Sequence, residues 1–238
     1  MFWKIAKEKI SLITTPTIGT NEYLIKKNLF KKKKIVILRD PVINIKEINE
    51  QKKIKIDEVY LHKKKYFISI GRLTKQKNFD LLIKAFSKFL KENKDYNLVI
   101  IGEGEEKGKL LKLTKNLKIS SNIYFLGYKK NVFKYLFNSQ AFILSSKWED
   151  PGFVLIEAAA CKTPIISSDC PNGPKEFLNY GKGGLLFKNN NENDLLNKLN
   201  HFVSLSVNKK KLIILNAFKN VKKFTIFSHS KRINSYLN

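Results

Sequence analysis

From Tyr66 to Phe202 the chain alternates short apolar runs with stretches whose apolar residues return at helical spacing. YFISI (66–70), LVIIG (98–102), IYFLG (123–127), AFILSS (141–146), PIISSD (164–169) and LLF (185–187) each predict a strand. Between the first two, Phe79, Leu82, Ile83, Phe86, Phe89 and Leu90 follow i, i+3, i+4, i+7, i+10, i+11, which defines one buried helical face. Asn78 stands where it could cap that helix. Further helices are expected from about Glu105 to Leu117, from Asn131 to Asn138, from Phe153 onward, near Pro174 to Leu178, and from Asn193 to Phe202. Strands alternating with helices specify an α/β, Rossmann-like parallel sheet covered on both faces.

The flanks are less regular. Residues 1–60 offer a short apolar run from Ile10 to Ile13, a helix from Asn21 to Leu29 and a strand-like KIVILRDPVIN from Lys34 to Asn44. Lys46 to Lys65 is lysine-rich with weak periodicity and reads as a linker. After the α/β unit of residues 61–207, residues 208–238 read as one or two basic helices. Their Leu212, Ile213, Leu215, Phe218, Phe224 and Ile226 need something to pack against.

In parallel sheets of this kind ligands bind outside the carboxyl ends of the strands. The polar and glycine-rich loops fall there: GRLTKQKN (71–78), GEGEEKG (102–108), GYKKN (127–131), KWEDPG (147–152) and DCPNGPKE (169–176). Arg72 and Lys77 share the first loop, and a fork-shaped guanidinium beside an ammonium suits a diphosphate. They could equally be two of many surface cations. Glu149 and Glu157 lie eight positions apart across Pro151 and Gly152, so Glu149 belongs to a loop and Glu157 to the second turn of the following helix. That helix begins near Phe153, and its free N–H groups make an anion site for which phosphate is the obvious occupant. Glu157 is suited to ribose hydroxyls, or else to pairing with a lysine; Glu149 could be ordinary loop charge. Gly102-Glu103-Gly104 lacks the third glycine of a dinucleotide fingerprint and reads as a strand-to-helix turn. There is no GxxxxGK[ST], and His62, His201 and His229 are scattered without metal-ligand spacing.

Charge widens the choice of partner. Lys and Arg total 46 against 20 Asp and Glu, a formal +26, which favours anionic partners: membrane headgroups, nucleic acid or phosphorylated small molecules. Much of the excess is lysine in a composition also rich in Asn and Ile, so solvated faces explain part of it. Stacking aromatics and an arginine-rich face are not apparent, which argues against nucleic acid. Two cysteines are too few for a disulfide scaffold or a zinc cluster. Met1 to Ser11 carries three lysines without a signal-type apolar core, and no apolar run is long enough for a bilayer. The expected location is cytoplasmic, with peripheral contact to the inner face of the membrane.

Taken in order, SIGRLTKQKNFDLLIKAF, LVIIGEGEEKGKL, IYFLGY, SSKWEDPGFVLIEAAACKTPIISSD, GPKEF and GGLLF resemble the C-terminal, donor-binding half of retaining, two-Rossmann-domain (GT-B type) glycosyltransferases that use nucleotide sugars. The wording around WEDPGFVLIEA and SSDCPNGPKE is most similar to bacterial surface-glycan enzymes, such as N-acetylgalactosamine or related hexose transferases. The resemblance implies hexosyl or N-acetylhexosaminyl transfer from a nucleotide-diphosphate sugar, UDP-linked, to a glycan or lipid-linked acceptor, with no metal or other cofactor. It implies that Arg72 and Lys77 neutralise the donor diphosphate, that Glu149 lies near the donor sugar and that Glu157 holds the ribose. Gly152, Phe153 and Val154 would offer backbone amides to phosphate or sugar oxygens, and Gly71, Gly127 and Tyr128 would complete the nucleotide site, the last two at the base. Residues 1–60 then resemble the closing fragments of an N-terminal acceptor domain, with Asp40-Pro41-Val42 as its final turn, and residues 208–238 the terminal helices that cross back to it. On that reading the chain lacks most of an acceptor domain. It is either completed by a separate N-terminal chain or truncated, the alternative being a non-catalytic remnant or subunit that binds a nucleotide or a membrane.

Overall fold

A computed structural model describes residues 10–28, 30 and 34–237. Its centre is a six-stranded, wholly parallel sheet: β3 (Lys65–Ile70), β4 (Tyr96–Ile101), β5 (Ile123–Phe125), β6 (Ala141–Leu144), β7 (Ile165–Ser168) and β8 (Leu185–Phe187), in the order β5-β4-β3-β6-β7-β8. All six coincide with the apolar runs expected to form strands, β3 starting one residue and β4 two residues earlier than expected. Strand order reverses between β3 and β6, whose register pairs Phe67 with Ala141 and Ile68 with Phe142. Connections therefore leave β3 and β6 in opposite directions, opening a crevice at their carboxyl ends.

Both faces of the sheet are buried, which is why the strands read as continuous apolar runs rather than alternations. Helices α3 (Phe79–Phe89), α4 (Lys107–Asn116) and α8 (Glu192–Ser204) cover one face, α5 (Phe133–Asn138), α6 (Phe153–Ala160) and α9 (Val207–Val221) the other, which the short α7 (Pro174–Phe177) joins through Phe177. Phe67 organises the first face: its ring lies 6.4 Å from Phe86, 5.6 Å from Phe89, 5.3 Å from Tyr96 and 5.9 Å from Phe202. Tyr66, Ile68 and Ile70 point the other way and join Phe142, Leu155 and Ile156. The periodic face expected for α3 is the buried one. The cap differs: Asn78 adopts a left-handed conformation and its amide donates to Asn190 Oδ1 at 3.2 Å instead of closing the helix.

Towards the N-terminus, β1 (Leu12–Thr15) and β2 (Lys34–Ile37) form a separate parallel pair joined through α1 (Ile18–Lys26). The helix starts before Asn21 because Thr17 caps it, accepting from Thr20 N; the last expected residue, Leu29, lies outside the described residues, as do residues 1–9 and 31–33. The strand-like stretch from Lys34 is interrupted after Ile37, and pairing resumes only as a bridge between Ile43 and Thr225. Pro41, which has no N–H to donate, lies in the gap.

Lys46 to Lys65 corrects the linker reading. It holds all but the first residue of α2 (Ile45–Gln51) and a single 3-10 turn (Val59–Leu61), and Ile48, Ile56 and Leu61 are buried in the core beneath α5. Three apolar anchors among many lysines were too sparse for a periodic signal, but they seat the segment firmly. Asp57 and Glu58 reinforce it by pairing with Lys134 at 2.9 Å and Lys129 at 2.6 Å. The C-terminal helices reach back to the first strands: in α10 (Ile226–Leu237), the His229 Nδ1 bonds to the Arg39 carbonyl at 2.8 Å and the Tyr236 hydroxyl donates to the Ile37 carbonyl at 3.1 Å.

If residues 45–61 belong to the core, Leu61→Ala should cost about 2–5 kcal/mol in urea unfolding. A loss below about 0.5 kcal/mol, the range of surface substitutions, would return the segment to the status of a linker.

Candidate functional site at the sheet reversal

The loops after β3 and β6 are bound to each other by main-chain and side-chain contacts. Lys147 N donates to the Gln76 carbonyl at 2.8 Å, Gln76 Nε2 to the Trp148 carbonyl at 2.9 Å, and Ser145 Oγ to the Lys77 carbonyl at 2.7 Å. At their centre Lys77 Nζ meets Glu149 Oε1 at 2.6 Å, and Ser146 Oγ donates to the same oxygen. Glu149 is only 5% exposed, so its charge needs those two donors. Lys77 in turn lies over Gly71: a Cβ at Gly71 would come within 3.1 Å of Lys77 Cε.

Gly152 ends the β6 loop and begins α6. Its φ of 89° is unfavourable for residues with a Cβ, and it leaves the first turn of α6 without a side-chain cap. Phe153 is exposed and Val154 half-buried, so the start of this helix opens at the rim beside Glu149. Arg72 is exposed, with no ion-pair partner among the described residues. A cation free of internal pairing and a helix terminus free of side-chain capping are complementary to a polyanion.

Glu157 lies one turn further along α6, half-buried and without a side-chain hydrogen bond among the described residues. Burial pushes its carboxyl above the ordinary 4.5. Such a carboxylate gains from polar hydrogens brought to it. The structure thus unites Lys77, Glu149, Gly71 and Gly152 directly, and sets Arg72, Phe153, Val154 and Glu157 on the same loops and helix. Gly127 and Tyr128 stand apart, on the loop after edge strand β5. Gly127 accepts from Gly102 N at 2.8 Å and contacts the β4 loop, while Tyr128 is 78% exposed.

Sequence reasoning missed several participants. Ser146 is fully buried under Glu149, and Ser168 Oγ holds the Ser146 carbonyl at 2.7 Å. Asp150, next to Glu149, accepts from Thr17 at 3.2 Å and from Thr20 at 3.0 Å, joining the N-terminal helix to the rim. Glu176 accepts from Ile18 N at 2.8 Å and pairs with Arg39. The doublet Ser145-Ser146 at a strand's carboxyl end was a visible signal for the first of these; nothing local announced the others.

The family profile described as "Glycosyl transferases group 1" matches residues 47–220. An N-acetylgalactosamine-N,N'-diacetylbacillosaminyl-diphospho-undecaprenol 4-alpha-N-acetylgalactosaminyltransferase from Campylobacter jejuni is 33% identical over 191 residues, 80% of this chain and 50% of that protein. An uncharacterised glycosyltransferase of Methanocaldococcus jannaschii is 41% identical over 135 residues, covering 51% of this chain and 33% of its own. The chain therefore spans half or less of the length of these curated relatives. Among solved structures, Anabaena HepE in complex with UDP superposes with a TM-score of 0.86 at 17% identity, covering 98% of this chain and 65% of that one. Staphylococcus aureus TarM gives 0.79 at 22% identity, covering 98% and 44%.

Two outcomes follow from the site's electrostatics. Lys77→Met should destabilise the fold by about 3–5 kcal/mol, because it strands a buried carboxylate, and the double variant Lys77→Met/Glu149→Gln should recover most of that loss in denaturant titrations. Glu157 has a raised folded pKa, so its contribution to stability falls as pH rises from its unfolded value of 4.5 through the folded one. Glu157→Gln should accordingly be more stable than the parent at neutral pH, with the difference shrinking below about pH 4; a pH-independent difference would contradict this.

Proposed function

Because the chain belongs to the glycosyl transferases group 1 family and carries the C-terminal half of a GT-B fold, we propose that its rim binds a nucleotide-diphosphate sugar, UDP-linked, for retaining transfer of a hexosyl or N-acetylhexosaminyl group to a glycan or lipid-linked acceptor. One observation carries the reading. At the reversal of strand order, a loop bearing Arg72 and Lys77 is locked against a loop that ends in the uncapped start of α6. The UDP in the HepE and TarM complexes and the diphospho-undecaprenol in the Campylobacter enzyme's name support this choice of nucleotide and acceptor class.

In this proposal Arg72 and Lys77 take the diphosphate, with the Phe153 and Val154 amides beside them. Positive charge already fixed at that point stabilises the charge that grows on the departing diphosphate as the glycosidic bond breaks, which is stabilisation expressed in the transition state. No divalent metal is required for that role. Glu149, held by Ser146 and Lys77, faces the donor sugar and keeps the Lys77 ammonium in place. Glu157 accepts from the ribose hydroxyls, and the hydrogen bonds it gains offset the cost of its burial. Gly71 leaves room for Lys77 to lie flat, and Gly127 and Tyr128 border the base. The acceptor hydroxyl attacks from the face the sugar's leaving group vacates and gives its proton to the departing diphosphate.

Isothermal titration with UDP tests the site. Arg72→Ala and Glu157→Ala should each weaken binding about tenfold or more, the value of a charge-assisted hydrogen bond, with unfolding transitions still cooperative and EDTA without effect. Unchanged affinity in both variants would refute the assignment. UDP binding with no transfer from UDP-sugars to lipid-diphosphate acceptors would reduce the proposal to a binding subunit.

A further inference from the structure

The loop that bears Gly127 and Tyr128 follows β5, an edge strand of three residues that pairs only with β4. The sheet gives such a loop little support, yet alternate residues along it are fixed. The Gly127 carbonyl accepts from Gly102 N at 2.8 Å, Lys129 Nζ donates to Glu58 Oε1 at 2.6 Å, and Asn131 Nδ2 donates to the Gln51 carbonyl at 2.9 Å. Tyr128 and Lys130, between these anchors, are exposed. The second and third anchors come from the lysine-rich segment ahead of β3.

Glu58 is a fixed point in that segment. Its other oxygen accepts from the Tyr135 hydroxyl at 2.6 Å, Tyr135 is wholly buried, and the Tyr66 hydroxyl donates to the Tyr135 carbonyl at 2.8 Å. The side chains of Lys129 and Glu58 are 27% and 13% exposed. Burial raises the Glu58 carboxyl, but hydrogen bonds from Lys129 and Tyr135 outweigh it and hold the group below the ordinary 4.5. Asn131 is tied down as well: its Oδ1 accepts from Phe133 N at 3.1 Å, at the start of α5. Ion pairs removed from water add little to net stability. What this one does is settle where the loop stands before a ligand arrives, which lowers the ordering cost of binding.

We propose that Glu58 and Lys129 are positioning residues for the nucleobase: their pairing holds Gly127 and Tyr128 in place and so sets affinity for the nucleoside end of the donor. The inference rests on the placement of the base at Gly127 and Tyr128 in the proposed function. It gives the segment 51–60 a part in ligand binding although none of its residues is assigned to the ligand.

Isothermal titration of the whole chain with UDP and with inorganic pyrophosphate separates the base end of the site from the diphosphate end. Glu58→Gln, which keeps the side chain's shape, and Lys129→Gln should each weaken UDP about tenfold, within the range by which contacting residues couple, and leave pyrophosphate unchanged. The double variant Glu58→Gln/Lys129→Gln should lose no more than either alone. Lys130→Gln, which removes the same charge from the same loop, should bind UDP like the parent. Unchanged UDP affinity in both single variants, an equal loss for pyrophosphate, additive losses in the double variant, or the same loss in Lys130→Gln would overturn the proposal. Arg72→Ala acts at the other end and should weaken both ligands. If it weakens neither, the donor site itself is misplaced and this inference falls with it; if it weakens both while Glu58→Gln and Lys129→Gln weaken neither, the positioning role alone is refuted.

Discussion

The ion pair between Lys77 and Glu149 spans the point where the strand order reverses, and the rim is arranged around it. Neither charge is well solvated: the lysine side chain is 17% and the carboxylate side chain 6% exposed. A buried pair of this kind yields little net stability, because the loss of hydration offsets the attraction. What it supplies is position. With Ser146 holding the same oxygen and main-chain bonds joining Gln76 to Lys147 and Trp148, the two loops have little freedom to separate. The start of α6 and the β3 loop are thereby presented together.

The same loops carry the N-terminal part of the chain. Asp150 receives Thr17 and Thr20, and Glu176 receives Ile18 N and Arg39, so α1 approaches the rim through polar contacts rather than an apolar seam. Interfaces between domains are often of this polar, modest kind and permit relative motion. α10 fastens the other end of the segment through His229 and Tyr236. The side chains that join α1 to the rim are thus neighbours of those assigned to the donor.

The fold was legible where burial imposes a period. Phe79, Leu82, Phe86 and Phe89 announced α3, and the six apolar runs announced the sheet, because a parallel strand covered on both faces has few polar positions to blur it. Placement of the polar loops at the carboxyl ends then made the rim legible as well. Contacts distant in sequence were not. The bond between Lys77 and Glu149 joins residues 72 positions apart, and Thr20 meets Asp150 across 130. Ile48, Ile56 and Leu61 were hidden among lysines, where three anchors leave no periodic trace. Asn78 misled because a capping residue type says nothing of its own backbone conformation, which here is left-handed.

The central claim is that the nucleotide lies at the strand reversal. Amide hydrogen exchange with and without UDP measures that directly, since a ligand on these loops suppresses their opening. The account predicts slower exchange in residues 71–78 and 147–157, with residues 222–232 unaffected. Protection confined to other segments, or none at saturating UDP, would contradict it.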